Sequence, residues 1–156
     1  MIRITRQTDY GILLLSQMAS HPLAEVHTAK HAAQQSHLPL PMASKILKAL
    51  AKGGLLVSQR GVKGGYRLAV SAENISLAAV IQALEGPIGM TECSFNPGAC
   101  EQEGSCPVQS NWKQISLAMR DALDRIPLSD MVVPHMHRPD LRLLSVSASP
   151  QAERRL

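Results

Sequence analysis

Aromatic residues are scarce in this sequence, and their scarcity excludes the most. Among 156 residues there are one Trp, two Tyr and one Phe. So few rings cannot furnish a stacking platform for single strands, and they argue against an aromatic-rich β-sandwich. Long apolar runs are missing as well. A membrane-crossing helix needs about 20 consecutive apolar residues, whereas the run from Gly11 to Leu15 is broken by Ser16 and Gln17. The opening Met1-Ile2-Arg3-Ile4-Thr5-Arg6 lacks the apolar stretch and small-residue cleavage site of a signal peptide. These absences predict a cytoplasmic protein with no membrane partner. The cysteines number three, an odd set that argues against a disulfide framework and for metal or redox chemistry.

Acidic residues are missing from one long stretch. From Val26 to Ala72 there is no Asp or Glu, while Lys30, Lys45, Lys48, Lys52, Arg60, Lys63 and Arg67 fall there with His27, His31 and His37. From Leu68 to Trp112 the pattern inverts, with Glu73, Glu85, Glu92, Glu101 and Glu103 but no Lys or Arg. All three cysteines lie in this second stretch. A basic segment can be a solvated face, but one without any acid suits a polyanion partner, and the net charge of +4 agrees. What remains is ordinary: 45% apolar and 18% charged residues, a composition that supports one globular domain with a modest core.

Apolar spacing and breakers predict the elements. Thr8 can cap a first helix through Leu13, Leu14, Leu15 and Met18, with Asp9 in its first turn, and His21-Pro22 stops it after Ser20. Thr28 can cap a second helix with a small-residue face of Ala29, Ala32 and Ala33. Leu38-Pro39-Leu40-Pro41 is a turn, and Pro41 can open a third helix that points Ile46, Leu47 and Leu50 inward and ends at Gly53-Gly54. Two extended runs around Gly61-Val62-Lys63-Gly64-Gly65 predict a β-hairpin. A further helix spans Ser76 to Leu84, and the cysteine segment after it, with Pro97, Gly98, Gly104 and Pro107, is a loop. From Ser110, the spacing of Trp112, Ile115, Met119, Ala122 and Ile126 marks one seam of a long amphipathic helix that Pro127 ends.

This order is mainly α with a small β-hairpin: a winged helix-turn-helix followed by a long helix. The expected partner is double-stranded DNA. The third helix would enter the major groove with Met42, Ala43, Ser44 and Lys45 at its base-reading end, and Lys48 would meet phosphate. Arg60 and Lys63 at the glycine-rich hairpin tip suit the minor groove or its flanking phosphates. Gly64 and Tyr66 complete the expected DNA contacts. The alternative is a helical packing module with a solvated basic face, but helix order, hairpin and charge agree on DNA.

Six residues separate Cys93 from Cys100, and five separate Cys100 from Cys106. Structural zinc sites use tighter pairs. Three thiolates on one irregular loop suit a larger object, and soft thiolates favour iron–sulfur clusters. The alternative is free or buried cysteines, which the Pro, Gly and Glu neighbours do not favour.

The sequence resembles the IscR/NsrR family of bacterial winged-helix repressors, the Rrf-type regulators. The resemblance runs from Met1 to about Val133. It rests on Ile4-Thr5-Arg6-Gln7-Thr8-Asp9-Tyr10, on Ser44-Lys45-Ile46-Leu47-Lys48-Ala49-Leu50 and on Gly54-Leu55-Leu56-Val57. Arg60-Gly61-Val62-Lys63-Gly64-Gly65-Tyr66-Arg67-Leu68 is its most specific part, and Cys93, Cys100 and Cys106 before a long helix complete it. It implies a homodimer joined by the long helix, an iron–sulfur cluster (2Fe–2S or 4Fe–4S) in each cysteine loop, and DNA affinity set by cluster state. It also implies a winged helix-turn-helix over 1–88, a cluster loop over 89–109 and a dimerisation helix over 110–134, while the Ser-, Arg- and Pro-rich composition of 135–156 predicts a flexible tail.

The ligand set departs from the family's iron–sulfur-assembly members, where a His lies three residues after the last Cys. Gln109 stands there in this chain. The family's nitric-oxide sensors use an acid near the N-terminus, supplied by the partner subunit, and Asp9 occupies that place. Glu92, Glu101 and Glu103 are weaker candidates. Thr8-Asp9-Tyr10-Gly11 and Cys93-Ser94 look most like regulators of the Suf iron–sulfur assembly operon, with nitric-oxide and iron-response regulators as close neighbours.

An enzyme is not expected, nor a small-molecule substrate. Gly61, Gly64 and Gly65 lie in a hairpin, not between a strand and a helix as a phosphate loop requires, and no Ser/His/Asp set stands out. The other alternative is a cluster-free DNA-binding protein whose cysteines sense oxidants as thiols.

Overall fold

The computed structural model describes residues 3–132. The proposed flexible tail therefore lies outside the described residues. Helix α1 spans Arg6–Ala19, α2 Ala29–Gln35 and α3 Leu40–Lys52. An antiparallel hairpin of β1 (Leu56–Gln59) and β2 (Gly65–Leu68) follows, paired in the register Leu56 to Leu68 and Gln59 to Gly65. Helix α4 spans Leu77–Glu85, α5 Gln109–Asp124 and α6 Ser129–Val132. Short 3-10 turns lie at Ala72–Asn74 and Glu92–Ser94. Among the described residues, no helix is long and apolar enough to cross a membrane.

The core sits between α1, α3 and α4. Leu14 and Leu15 of α1, Ile46, Leu47 and Leu50 of α3, and Val80 of α4 are all inaccessible to solvent. Leu55, Leu56 and Leu68 carry the same core to the base of the hairpin. Burying a leucine or isoleucine side chain contributes about 1.5–3 kcal/mol, so this cluster holds α3 firmly by one face. Gly11 permits close packing: a Cβ there would overlap the Leu84 side chain of α4.

The expected cap at Thr28 is found, and the one expected at Thr8 is not. Thr28 caps α2, its hydroxyl accepting from the His31 N–H at 3.1 Å, and Ser76 caps α4 by accepting from the Ala79 N–H at 3.2 Å. For α1 the expectation is corrected. Thr5 is the cap, because its hydroxyl accepts from the Thr8 N–H at 3.3 Å. Thr8 falls within the first turn, fully buried, and its hydroxyl donates to Glu85 at the end of α4. Thr5 donates to the same carboxylate oxygen through both its N–H and its hydroxyl. Burial works to raise the Glu85 pKa, but these hydrogen bonds from Thr8 and Thr5 outweigh it, and the carboxyl sits below its ordinary range.

The long C-terminal helix is also corrected. Regular helix ends at Asp124, ahead of Pro127. A proline disfavours helix at the residue before it, and the chain turns extended. The Leu77 N–H donates to Ile126 and the Leu128 N–H to Ile75, so this segment bridges back to the start of α4. Leu128 is completely buried there. The described part of the span 110–134 is thus a helix, a bridge and the short α6.

Besides its core leucines, the hairpin is fastened to the helix-turn-helix by a backbone bridge. His27, just before α2, exchanges backbone hydrogen bonds with Tyr66 of β2, both 2.8 Å long. Gly65 makes this approach possible, since a Cβ there would run into the His27 carbonyl. Gly65→Ala should therefore destabilise the fold by about 1–3 kcal/mol, the usual cost of overpacking. An unchanged denaturation midpoint would contradict the bridge.

The His27 ring is buried beside His21 and His31, with centroids 5.0 and 6.2 Å away. Burial lowers its pKa; Glu25 pulls it up, while His21 and His31 add to the lowering, and the net value lies below 6.5. The unfolded chain therefore takes up this proton first. The stability that neutral His27 contributes is complete above pH 6.5 and is lost as pH falls below it toward the folded-state pKa. His27→Gln should flatten this decline in denaturant titrations across that range. An unaltered pH slope would contradict it.

Candidate nucleic-acid interface and cysteine loop

Helix α3 is anchored by one face and bare on the other. Ile46, Leu47 and Leu50 point inward as their spacing predicts. Pro41, Met42, Lys45 and Lys48 are exposed and Ser44 is half-buried. Ala43 is a correction: it is 0% exposed, because it falls one turn before Leu47 on the buried face. Its place in the sequence suggests a base contact, but its methyl group is part of the core. The turn before α3 contains His37 in the left-handed conformation, at φ 53.

At the hairpin tip Arg60, Gly61, Val62 and Lys63 are exposed. The tip carries no acid, so the two cations face outward unneutralised. Gly64 is half-buried and closes the turn by donating its N–H to the Gly61 carbonyl at 2.9 Å; a Cβ would meet the backbone of Gln59 and Gly61. Tyr66 lies lower on the hairpin, and its ring packs partly buried against the core while its backbone holds His27. Gly64 and Tyr66 thus shape the wing, whereas Arg60 and Lys63 present charge.

The cysteine loop docks on α5. Ser116 is the buried residue of α5, and its hydroxyl accepts from the Met90 N–H at 2.9 Å. The Glu92–Ser94 turn packs on the same helix. Gly89 lies so near the Phe95 ring that a Cβ would overlap it. Cys93 is buried, with its sulfur 3.2 Å from the Thr91 hydroxyl, while Cys100 and Cys106 are half-buried.

Glu103 organises the outer part of the loop. Its carboxylate accepts from the Gly98 N–H, from Gln109 at 2.7 Å and from Lys113 at 3.3 Å. The Gly98 N–H is the main cause that holds its pKa below the ordinary carboxylate range, and Lys113 and Gln109 act in the same direction against slight desolvation. Gln109 and Glu103 are therefore bonded to each other. Gln109 and Lys113 lie one turn apart on α5, a spacing visible in the sequence, but only the curl of the loop brings Glu103 to them.

Three thiols suit an iron–sulfur cluster in donor type. Their arrangement does not fit one. Among the described residues, no three His, Cys, Asp or Glu side chains converge where they could hold a metal ion. Asp9 is exposed in the first turn of α1 and does not join the cysteines in such a group.

Comparison with known proteins agrees with this architecture. The family described as Rrf2, iron-dependent transcriptional regulator, matches residues 4–134. Protein rrf2 of Nitratidesulfovibrio vulgaris is 28% identical over 131 residues, covering 84% of this chain and 87% of that protein. The HTH-type transcriptional regulator IscR of Vibrio cholerae is 27% identical, covering 85% and 76%. Among solved structures, CymR, the global cysteine regulator of B. subtilis, superposes with a TM-score of 0.64 at 26% identity, covering 85% of this chain and 97% of that one. IscR of T. potens gives 0.61 at 25% identity, covering 84% and 86%. The family and its IscR members are described as transcriptional regulators. With the helix order, the hairpin and a family match over most of its length, the chain belongs to the Rrf2 family of winged-helix transcriptional regulators.

Proposed function

We propose that this regulator is a homodimeric repressor that binds an operator through α3 and the hairpin tip, and whose cysteine loop sets its DNA affinity in response to iron–sulfur status. Iron–sulfur assembly genes of the Suf type are the proposed targets. The observation that carries the DNA reading is the geometry of α3. One face is wholly committed to the core, the opposite face with Lys45 and Lys48 is free, and the cationic tip of the hairpin that follows is exposed as well. Residues 1–88 act as the DNA-binding unit in this account.

Dimerisation is assigned to α5. Trp112, Ile115 and Leu117 are exposed at 36%, 44% and 47%, and Ser116 alone of its residues is buried. An amphipathic helix that leaves its large apolar residues uncovered needs a partner. A second copy would set two α3 helices about one helical turn of DNA apart.

The cluster reading rests on thiol chemistry and on relatives named IscR. Because the donors do not converge in the single chain, the loop would have to rearrange to hold the group. A second reading is favoured by that same lack of convergence and by the CymR neighbours: the cysteines act as thiol sensors without a cluster. Cytoplasmic location is part of either proposal.

Two measurements test these readings. Arg60→Ala and Lys63→Ala should weaken binding to all duplexes, each reducing the slope of log K against log salt by about 1. An unchanged slope would place the tip off the DNA. Anaerobically purified protein should be coloured and contain iron, and replacing Cys93, Cys100 and Cys106 together by Ala should remove both. A colourless, iron-free protein whose DNA affinity still responds to thiol oxidants would favour the second reading.

A further inference from the structure

The exposed face of α3 is unusual for a base-reading helix in what it lacks. Bidentate readout uses Arg or Lys for guanine, Asn or Gln for adenine, and Asp or Glu for cytosine. Of these the α3 sequence Leu-Pro-Met-Ala-Ser-Lys-Ile-Leu-Lys-Ala-Leu-Ala-Lys contains only lysines, and no Arg, Asn, Gln, Asp or Glu. Its polar residues are Ser44, which is half-buried, and three lysines. Lys48 and Lys52 lie toward the C-terminal half, away from the end that meets base edges.

The N-terminal end presents apolar surface instead. Leu40 and Met42 are 45% and 41% exposed. Beside them lies an open groove of about 380 Å³, lined by Gln7, Pro39, Pro41, Met42, Lys45 and Ile46. Gln7 could have supplied a base-reading amide, but its side-chain nitrogen donates to the Leu84 carbonyl at 3.4 Å. None of the residues lining this groove is an acid, and Lys45 stands at its edge.

Resting on the assignment of α3 as the base-reading helix, we infer that Met42, with Pro39 and Pro41, is a specificity-determining contact for the C5-methyl group of thymine in the major groove. In the major groove thymine offers one apolar group that the other three bases lack. A flexible thioether beside two rigid prolines provides a matching apolar contact that adapts to its shape. Lys45 is then the one long donor at the same end, placed for a neighbouring guanine or a phosphate.

The test begins by selecting duplexes from a randomised pool with the full chain, then measuring affinity for the selected site. Each thymine of a half-site is replaced in turn by uracil, which removes the methyl group and leaves every hydrogen-bonding atom. At one thymine per half-site the wild-type chain should bind about fourfold more weakly after replacement, as for one lost methyl contact. Met42→Ala, a surface change, should bind the thymine duplex more weakly and show no further loss with uracil. Identical affinities for thymine and uracil at every position, or full discrimination retained by Met42→Ala, would overturn the inference while leaving DNA binding intact. If no duplex is enriched, the assignment of α3 itself fails, and this inference with it.

Discussion

The burial of one face of α3 is the constraint on which the rest depends. Ala43, Ile46, Leu47 and Leu50 follow the helical repeat and lose all contact with solvent. They pack against α1, α2, α4 and β1, so the orientation of α3 is set from several sides at once. A helix held this way cannot roll to expose different residues. The DNA-facing set is therefore decided by the core, and this is why Ala43 is lost to it while Met42 and Lys45 remain.

The other elements extend from that fixed helix. The hairpin begins a short turn after α3, and its second strand touches His27 at the start of α2 through Tyr66, one pair below the tip turn, while the tip itself stays exposed. On the opposite side, Glu85 at the end of α4 gathers Thr5 and Thr8 at the start of α1. The cysteine loop leaves from that end of α4 and docks on α5 through Ser116. After α5 the chain closes back on the start of α4 through Leu77 and Leu128. If the loop sets DNA affinity as proposed, its two short routes to the winged helix run through the ends of α4. Coupling of about 1–3 kcal/mol along such a route would alter affinity roughly 5- to 150-fold.

Much of this was legible in the sequence because it is local. Thr28 and Ser76 before apolar-periodic runs, prolines ahead of α3, and glycines between two extended runs each act over a few residues. What escaped is long-range. Thr5 displaced Thr8 as the cap because Glu85, far along the chain, engages both. Leu128 enters the core only because the segment after α5 folds back. The roles of Gly65 and Tyr66 depend on the approach of His27. Gln109 was legible as a departure from a ligand pattern, but its bond to Glu103 requires the loop to curl. The cysteines were legible as donors by type, whereas their spatial relation is a property of the loop.

The central claim is that two copies of this chain present their α3 helices to one face of duplex DNA. Hydroxyl-radical footprinting on a selected operator tests it most directly. The account predicts two protected patches related by a dyad, with centres about one helical turn, 34–36 Å, apart or a multiple of it. A single unrepeated patch, or uniform weak protection along the duplex, would contradict it.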